Sequence, residues 1–223
     1  MLNQIKKDNQ YSYQTFCGST LLDDNKIRFR LWAPDIEQVD LVINGSNTYQ
    51  MLKDEHGYFY LTTDEAKIGD VYQYKVSENL LVPDPFSRYQ PKDVHGPTEI
   101  IDPLHYDWTM PTEWNGLPWE ETVLYELHLG TFTEEGTYKA AEKKLDYLKD
   151  LGITAIELMP LSDFPGKRNW GYDGVLPFAP DSSYGRPEDL KDFIKAAHQK
   201  GLMVFLDVVY NHFGPDGNYL YVY

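Results

Sequence analysis

The chain has very little cysteine and no long hydrophobic segment. Cys17 is the only cysteine among 223 residues, so an internal disulfide framework is excluded. No run of about 18 apolar residues is present, which excludes a membrane-spanning helix of the usual length. No apolar segment near the amino terminus resembles a signal peptide. These absences predict a cytoplasmic protein with no membrane partner.

Basic residues are also scarce. The chain has 20 Lys and Arg against 35 Asp and Glu, a net charge of −15. The largest basic groups are pairs such as Lys6-Lys7 and Lys167-Arg168. Binding to a phosphate backbone or an anionic membrane needs clustered positive charge. The sequence therefore predicts no nucleic-acid partner.

Aromatic residues, in contrast, are plentiful. They form 15% of the chain, with 18 Tyr. A tyrosine offers apolar area together with a hydroxyl, which suits sugar-binding surfaces and protein interfaces alike. Composition alone favours an aromatic-rich β domain just as well.

The first half of the chain has a strand-like pattern. In KIRFRLWAP (26–34), Ile27, Phe29 and Leu31 alternate with basic residues, and an Asn-Gly turn signal ends QVDLVING (38–45). Short alternating strands joined by polar turns predict an antiparallel β-sandwich of immunoglobulin-like type over residues 1–106. The Pro-rich stretch DPFSRYQPKDVHGP (84–97) is expected to wrap the sandwich surface. Residues 107–121, with three Trp and two Pro, are interpreted as an ordered connector.

From residue 122 the pattern changes to strands that alternate with helices. VLYELHLG (123–130), ITAIELMP (153–160) and LMVFLDVV (202–209) read as strands. Apolar residues at spacings of three and four predict one helix over about 137–151, ended by Gly152, and a second helix from Pro187 to Gly201. This order predicts a parallel sheet with right-handed crossovers.

These blocks carry a resemblance to a known family. VLYELHLGTF, ITAIELMPL, NWGYDG and LMVFLDVVYNH resemble the opening three strands of a glycoside hydrolase family 13 barrel, the α-amylase superfamily. The longer blocks FPGKRNWGYDGVLPFAPDSSYG and DVVYNHFGPDGNYL are similar to malto-oligosyltrehalose trehalohydrolases. The resemblance implies that residues 122–223 form the first three βα units of a (β/α)8 TIM barrel.

The resemblance also implies candidate sugar-binding residues. His212 matches the family histidine that hydrogen-bonds the sugar at the cleavage subsite, with a core or capping histidine as the alternative. Tyr172 matches the aromatic residue that stacks on the same sugar, with packing on the barrel rim as the alternative. Asp173 is a substrate contact or part of an Asp-Gly turn. Trp170 extends the sugar platform or anchors its loop.

Other polar residues are expected to play supporting roles. By the same resemblance, Asp207 orients its neighbours rather than attacking a substrate, and Asn211 is structural rather than a metal ligand. We expect no metal and no cofactor. His128, Glu126 and Glu157 fall inside predicted strands and are expected to make internal hydrogen bonds.

Catalytic residues cannot be assigned. In this superfamily the nucleophile, the acid/base and the stabilising carboxylate come from the fourth, fifth and seventh strands, which would lie beyond Tyr223. Retaining glycosidases need two carboxylates about 5–5.5 Å apart. The 223-residue chain by itself is therefore expected to release no trehalose, and the missing carboxyl-terminal half of the barrel is a candidate partner.

The implied reaction is hydrolysis of the α-1,4-glucosidic bond next to the terminal trehalose of maltooligosyl-trehalose, with retention of configuration. The substrate is maltooligosyl-trehalose or another α-glucan. Two alternatives stay open: a fragment of a 1,4-α-glucan branching enzyme, and a non-catalytic glucan-binding remnant. Branching enzymes usually follow Trp-Gly-Tyr with Gln, whereas Asp173 stands here.

Overall fold

The computed structural model describes residues 3–7, 10–14, 17–110 and 113–223. Two residues of the predicted connector, Pro111 and Thr112, and a few of the predicted sandwich lie outside the described residues. The chain divides into two compact units. The first unit consists of two segments, residues 1–105 and Asn218–Tyr223. The second unit is Tyr106–Gly217.

The described strands of the first unit all pair in antiparallel fashion. They are β1 (Asn3–Lys7), β2 (Gln10–Gln14), β3 (Gly18–Leu21), β4 (Ile27–Trp32), β5 (Asp40–Ile43), β6 (Asn47–Gln50), β7 (Leu52–Lys53), β8 (Tyr58–Thr63), β9 (Val71–Ser77), β10 (Leu80–Val82) and β11 (Thr98–Glu99). One sheet has the order β3-β4-β8-β7, and another has the order β10-β9-β5-β6 with β11 also on β9. The strands β1 and β2 form a separate pair.

The alternating pattern sets the core of this unit. Ile27, Phe29 and Leu31 of β4 are fully buried, as alternation predicts. They share one hydrophobic core with Leu41 and Tyr74 of the other sheet. The two sheets therefore pack their apolar faces against each other.

The Pro-rich stretch 84–97 does not simply wrap the surface, and that expectation is wrong. Asp84 and Gln90 within it are both 0% exposed. The Asp84 Oδ2 atom accepts hydrogen bonds from the Tyr72 hydroxyl at 2.6 Å and the Tyr74 hydroxyl at 3.0 Å. Burial raises the pKa of Asp84. The stretch enters the core because buried polar partners satisfy it, which hydrophobic periodicity does not reveal.

The second unit combines a parallel sheet with helices. Its strands are β12 (Leu124–Leu127), β13 (Ala155–Leu158), β14 (Ser162–Asp163), β15 (Leu176–Pro180) and β16 (Met203–Leu206). Its α-helices are α1 (Leu129–Phe132), α2 (Tyr138–Glu142), α3 (Leu145–Asp150) and α4 (Pro187–Gln199). The parallel sheet has the order β12-β13-β16, and β14 pairs with β15 in antiparallel fashion. Among the described residues, no helix is both long enough and apolar enough to cross a bilayer.

The two faces of the parallel sheet differ. Leu127, Ile156 and Leu158 lie in a core with helix residues such as Leu145 and Phe193. The alternate positions point to the opposite face, since successive strand side chains alternate. On the opposite face, Glu126, Glu157 and Phe205 are in register across the three strands. Two carboxylates and one aromatic ring therefore lie side by side there.

The first predicted helix is in fact two short helices. Thr137 begins it as expected, and its hydroxyl accepts a hydrogen bond from the Ala140 backbone nitrogen at 3.3 Å. Between α2 and α3 the backbone tightens, with the Lys144 nitrogen bonded to the Ala141 oxygen at 2.9 Å. This hydrogen bond spans three residues, as in a 3-10 helix, and interrupts the α-helical pattern in which each bond spans four. The apolar stripe survives the break, since Ala141 and Leu145 are both buried.

The predicted helix ends are confirmed. Pro187 is the first residue of α4, where a missing backbone donor has no cost. Gly152 and Gly201 follow the helix ends with φ of +91° and +77°. After each, a backbone nitrogen bonds five residues back, Ile153 to Leu148 at 3.1 Å and Leu202 to Ala197 at 3.0 Å. This pattern is the Schellman motif, which requires a left-handed residue.

The strands of the parallel sheet are shorter than predicted. The first strand ends at Leu127, and Leu129 already begins α1. His128 therefore lies just past the strand rather than inside it, which corrects the sequence-based placement. This shift puts the imidazole at the carboxyl edge of the sheet.

Candidate functional site

The candidate site is built at the carboxyl edge of the parallel sheet. His128 follows β12, Met159 follows β13 and Asp207 follows β16. Backbone bonds continue the ladder past the strands, with Met159 bonded to Leu127 at 3.0 Å and Asp207 to Leu158 at 2.9 Å. Parallel strands bring their carboxyl ends to one edge, and this edge is where barrels and open α/β sheets bind ligands.

A tight loop, Asn169–Asp173, lies over this edge. The Asn169 Oδ1 atom accepts from the backbone nitrogens of Gly171 at 2.8 Å and Asp173 at 3.4 Å. Its amide nitrogen donates to Asp173 Oδ2 at 2.9 Å. Gly171 has a φ of +102°, and a Cβ there would lie 2.2 Å from the Pro160 oxygen. The loop backbone thus rests directly on the segment that follows β13.

Tyr172 is held by hydrogen bonds at its side-chain hydroxyl and at its backbone carbonyl oxygen. Its hydroxyl donates to Asp207 Oδ2 at 3.0 Å. Its carbonyl oxygen accepts a hydrogen bond from His212 Nε2 at 2.9 Å. The residue keeps 37% of its surface exposed. A positioned, partly open aromatic ring therefore lies between the loops that follow β13 and β16.

The electrostatics around Tyr172 are acidic. The hydrogen bond to Asp207 raises the pKa of the Tyr172 hydroxyl, and partial burial and the negative charges of Asp207, Glu126 and Glu157 raise it further. The tyrosine therefore stays protonated and keeps its hydroxyl as a donor.

His212 has protein partners at both ring nitrogens. Because the Tyr172 carbonyl can only accept, Nε2 carries the proton. Nδ1 then accepts from the Asn211 side-chain amide at 2.8 Å. In the described part of the chain, no group of three or more His, Cys, Asp or Glu side chains is placed to hold a metal ion. The bond from the Asn211 amide holds the imidazole in one tautomer.

Asp173 and Trp170 have different environments. The Asp173 backbone is closely packed, since a Cβ on Gly214 would lie 2.1 Å from the Asp173 oxygen. Its carboxylate is exposed and accepts a hydrogen bond from the Asn169 side-chain amide. Trp170 is 79% exposed and is not part of the Tyr172 network. It lines a neighbouring cavity instead.

This cavity has a volume of about 830 Å³, within the usual range for small-molecule sites. Its lining residues come from the end of β12, from helix α1, from the end of β13 and from the loop between β14 and β15; they are His128, Gly130, Thr131, Met159, Lys167, Arg168, Asn169 and Trp170. An indole ring, two basic side chains and a hydroxyl at one cavity offer both a stacking surface and hydrogen-bond donors.

The three residues expected to make internal hydrogen bonds behave differently. His128 Nε2 donates to the Asn169 carbonyl oxygen at 2.6 Å, which confirms the expectation for His128. For Glu126 and Glu157 the expectation is wrong within the described chain, since neither side chain has a hydrogen-bond partner there. They lie side by side on adjacent strands, and their charges act on Tyr172 through space.

Sequence reasoning missed three residues that shape the site. Asn169 holds the loop, and Gly171 and Gly214 allow its backbone to lie against neighbouring segments. The signal was present as Asn-x-Gly, since an Asn side chain that bonds the backbone two residues on is a common turn device. Without the path of the loops, that signal could not be tied to Tyr172.

Comparison with known proteins places the chain in a family. The model of the alpha amylase catalytic domain matches residues 81–221. A malto-oligosyltrehalose trehalohydrolase of Saccharolobus solfataricus is 50% identical over 199 residues, covering 89% of this chain and 35% of the relative. One from Deinococcus radiodurans is 47% identical, with 96% and 35% covered. A 1,4-alpha-glucan branching enzyme of Geobacillus stearothermophilus is 32% identical, with 95% and 37% covered.

Solved structures agree with this placement. A Salmonella typhimurium protein described as an alpha amylase has a TM-score of 0.89 at 47% identity, covering 94% of this chain and 35% of that one. A pullulanase from Anoxybacillus sp. LM18-11, complexed with maltotetraose, has a TM-score of 0.77 at 27% identity, with 91% and 36% covered. The chain spans about a third of the length of the curated relatives it matches. It belongs to the alpha-amylase family and is similar to malto-oligosyltrehalose trehalohydrolases.

Proposed function

We propose that this chain supplies the sugar-binding part of a glycoside hydrolase that releases trehalose from maltooligosyl-trehalose. The reaction cleaves the α-1,4-glucosidic bond next to the terminal trehalose with retention of configuration. The observation that carries the proposal is the positioned Tyr172, bonded to Asp207 and His212 at the carboxyl edge of a parallel sheet. The similarity to trehalohydrolases supports the choice of substrate.

The proposal includes an architecture. In it, β12, β13 and β16 with their helices are the first three βα units of a (β/α)8 barrel, and the two antiparallel sheets form an immunoglobulin-like sandwich. The proposed domain limits are 1–106 for the sandwich, 107–121 for a connector and 122–223 for the barrel part. No catalytic carboxylate is assigned to this chain.

In the proposed binding mode, the sugar ring stacks on Tyr172. The apolar C–H face of a pyranose fits a flat aromatic ring, and the exposed part of Tyr172 offers that surface. The hydroxyl of Tyr172 is already bonded to Asp207, so the ring loses little freedom when a sugar binds. Trp170 extends the platform, and Asp173 contributes an acceptor for sugar hydroxyls.

His212 requires a more specific role. Both of its ring nitrogens have protein partners in the structure. A sugar hydroxyl therefore shares the Nε2 proton with the Tyr172 carbonyl, while Asn211 keeps the imidazole in the same tautomer. This arrangement makes His212 both a sugar contact and a support for Tyr172.

The runner-up function is branching of an α-glucan. The branching enzyme similarity, at 32% identity, is weaker than the trehalohydrolase similarity. Branching enzymes usually carry Gln at the position of Asp173. Here the Asp173 carboxylate accepts a hydrogen bond from the Asn169 side-chain amide. The two activities differ in product, which allows a direct test.

The test uses the protein expressed from its complete reading frame and two substrates, maltotriosyl-trehalose and amylose. We expect trehalose release from the first and no new α-1,6 branches in the second. Replacement of Tyr172 by Ala is expected to lower kcat/KM for trehalose release about 100-fold, because the stacking surface is lost. Product analysis by anion-exchange chromatography gives both readouts.

The matched control is Tyr60→Ala, since Tyr60 is exposed on strand β8 of the first unit and has no place in the proposed site. It should leave kcat/KM within about twofold of the parent value. Branched product from amylose would replace the proposal with the branching function. Glucan binding with neither product would favour a non-catalytic glucan-binding protein.

A further inference from the structure

The loop that carries Tyr172 touches the ends of all three parallel strands. Its first residue, Asn169, bonds to His128 after β12. Gly171 packs on Pro160 after β13. Tyr172 itself bonds to Asp207 after β16. A loop attached at three strand ends takes its position from the sheet.

The attachment to β12 depends on one imidazole in a fixed state. His128 Nε2 must donate at 2.6 Å, because the Asn169 carbonyl oxygen can only accept. His128 Nδ1 is buried without a hydrogen-bond partner among the described residues, so the bond from Nε2 is the one that ties the ring to the loop. The ring packs close to Gly130, where a Cβ would lie 3.0 Å from His128 Cε1 and 3.1 Å from the Tyr184 ring. A larger residue at position 130 would therefore crowd the imidazole that bonds to Asn169.

The attachment then passes through the side chain of Asn169. Its Oδ1 atom accepts from the backbone on both sides of Tyr172, at Gly171 and at Asp173. Its amide nitrogen donates to the Asp173 carboxylate at 2.9 Å. The residues before and after Tyr172 are thus bound to one amide, whose own backbone is bound to His128.

We propose that His128 and Asn169 are positioning residues for the sugar-stacking ring of Tyr172. Neither needs to touch the sugar at the stacking position. They hold the Asn169–Asp173 turn in the shape that presents the ring, while Asp207 and His212 hold it from the other side. This inference rests on the proposed glucan-binding function of Tyr172.

The expected consequence is a loss of glucan affinity without a comparable loss of folding. Stacking and hydrogen bonding to a sugar need a receptor that is already in place, and a shift of about 1 Å in a positioned group can cost up to about 100-fold. Without the Asn169 side chain, the Gly171 and Asp173 nitrogens lose their acceptor, and water can replace it because Asp173 is exposed. The turn then samples other shapes.

The test measures the dissociation constant of maltoheptaose for the 223-residue chain by calorimetric titration. Asn169→Ala and His128→Ala are each expected to weaken binding about tenfold. His128→Gln should restore binding to within about twofold, because a glutamine amide nitrogen can occupy the place of Nε2 and donate to the Asn169 carbonyl. Asn115→Ala is the matched control, since Asn115 is exposed in the same unit.

Thermal melting of each variant separates positioning from general damage. If affinity falls only in proportion to the unfolded fraction, or if His128→Gln binds as poorly as His128→Ala, the positioning role is contradicted. Binding by Asn169→Ala at the parent affinity contradicts it as well, while the proposed function stands. A parent chain that does not bind maltoheptaose overturns the proposed function of Tyr172 and this inference with it.

Discussion

At the residue scale, the ionisation of Tyr172 depends on its partner Asp207. The hydrogen bond and the negative charge of Asp207 both favour the protonated hydroxyl and raise its pKa. We expect Asp207→Asn to lower the pKa of Tyr172 toward its ordinary value of 10.0, because a neutral amide does not oppose the phenolate charge. The charges of Glu126 and Glu157 persist and keep part of the increase.

The measurement is a pH titration followed by NMR of tyrosine labelled with 13C at Cζ, with Tyr172→Phe to assign the resonance. The control is Asp150→Asn, which removes an exposed carboxylate at the end of α3 and should leave the titration unchanged. An unchanged Tyr172 titration in Asp207→Asn would contradict the hydrogen bond and its electrostatic effect.

Several residues of the site could be predicted from the sequence, and the reason is geometric. Asp207 follows an apolar run, and parallel strands end at one edge. The bonds between side chains could not be predicted in this way. That both nitrogens of His212 are bonded, or that Asn169 holds the turn, depends on the path of two loops that share no periodicity.

At the element scale, the site depends on a loop backbone that lies against a strand end. Gly171→Ala would place a Cβ 2.2 Å from the Pro160 oxygen, at a φ of +102°. We expect it to destabilise the second unit by about 3 kcal/mol, because backbone strain and a steric clash combine. Urea unfolding followed by tryptophan fluorescence measures the change.

The comparison variant is Gly166→Ala, in the same segment between β13 and β15. Gly166 also has a positive φ, +85°, but a Cβ there would meet no atom within 4 Å. Its expected cost is about 1 kcal/mol, from backbone strain alone. Equal effects of the two substitutions would show that close packing on Pro160 does not hold the loop.

The helices and strands were predictable where the pattern was long. The helix α4 and its limits follow from Pro187, an apolar stripe and Gly201. The break between α2 and α3 left no trace in the apolar stripe, because Ala141 and Leu145 face the core on both sides of it. Strands of two or three residues, such as β10 and β11, exist only through pairing with β9. Such short segments have too few residues to show alternation.

At the scale of the whole molecule, the change from antiparallel to parallel organisation was visible in the sequence. Strands without helices precede residue 105, and strands alternating with helices follow it. The buried polar segment around Asp84 was not visible, because its carboxylate is held by the hydroxyls of Tyr72 and Tyr74 on β9. Hydrogen bonds between a strand and an irregular segment follow no periodic pattern in the sequence.

The charge of the molecule fits an uncharged ligand. The net charge of −15 would repel phosphate backbones and anionic surfaces. A neutral sugar is neither attracted nor repelled by this net charge. Its recognition then depends on aromatic surface and hydrogen bonds at close range. The proposed site supplies these through Tyr172, Trp170 and His212, with an acidic group at Asp207.

The central claim is that maltooligosyl-trehalose binds at Tyr172. The most direct measurement is chemical-shift mapping of the 15N-labelled 223-residue chain during titration with maltotriosyl-trehalose. We expect the largest shifts at Trp170, Tyr172, Asp207 and His212, and we expect Tyr172→Ala to abolish them. Shifts confined to the strands of the first unit, or no shifts at all, would contradict the central claim.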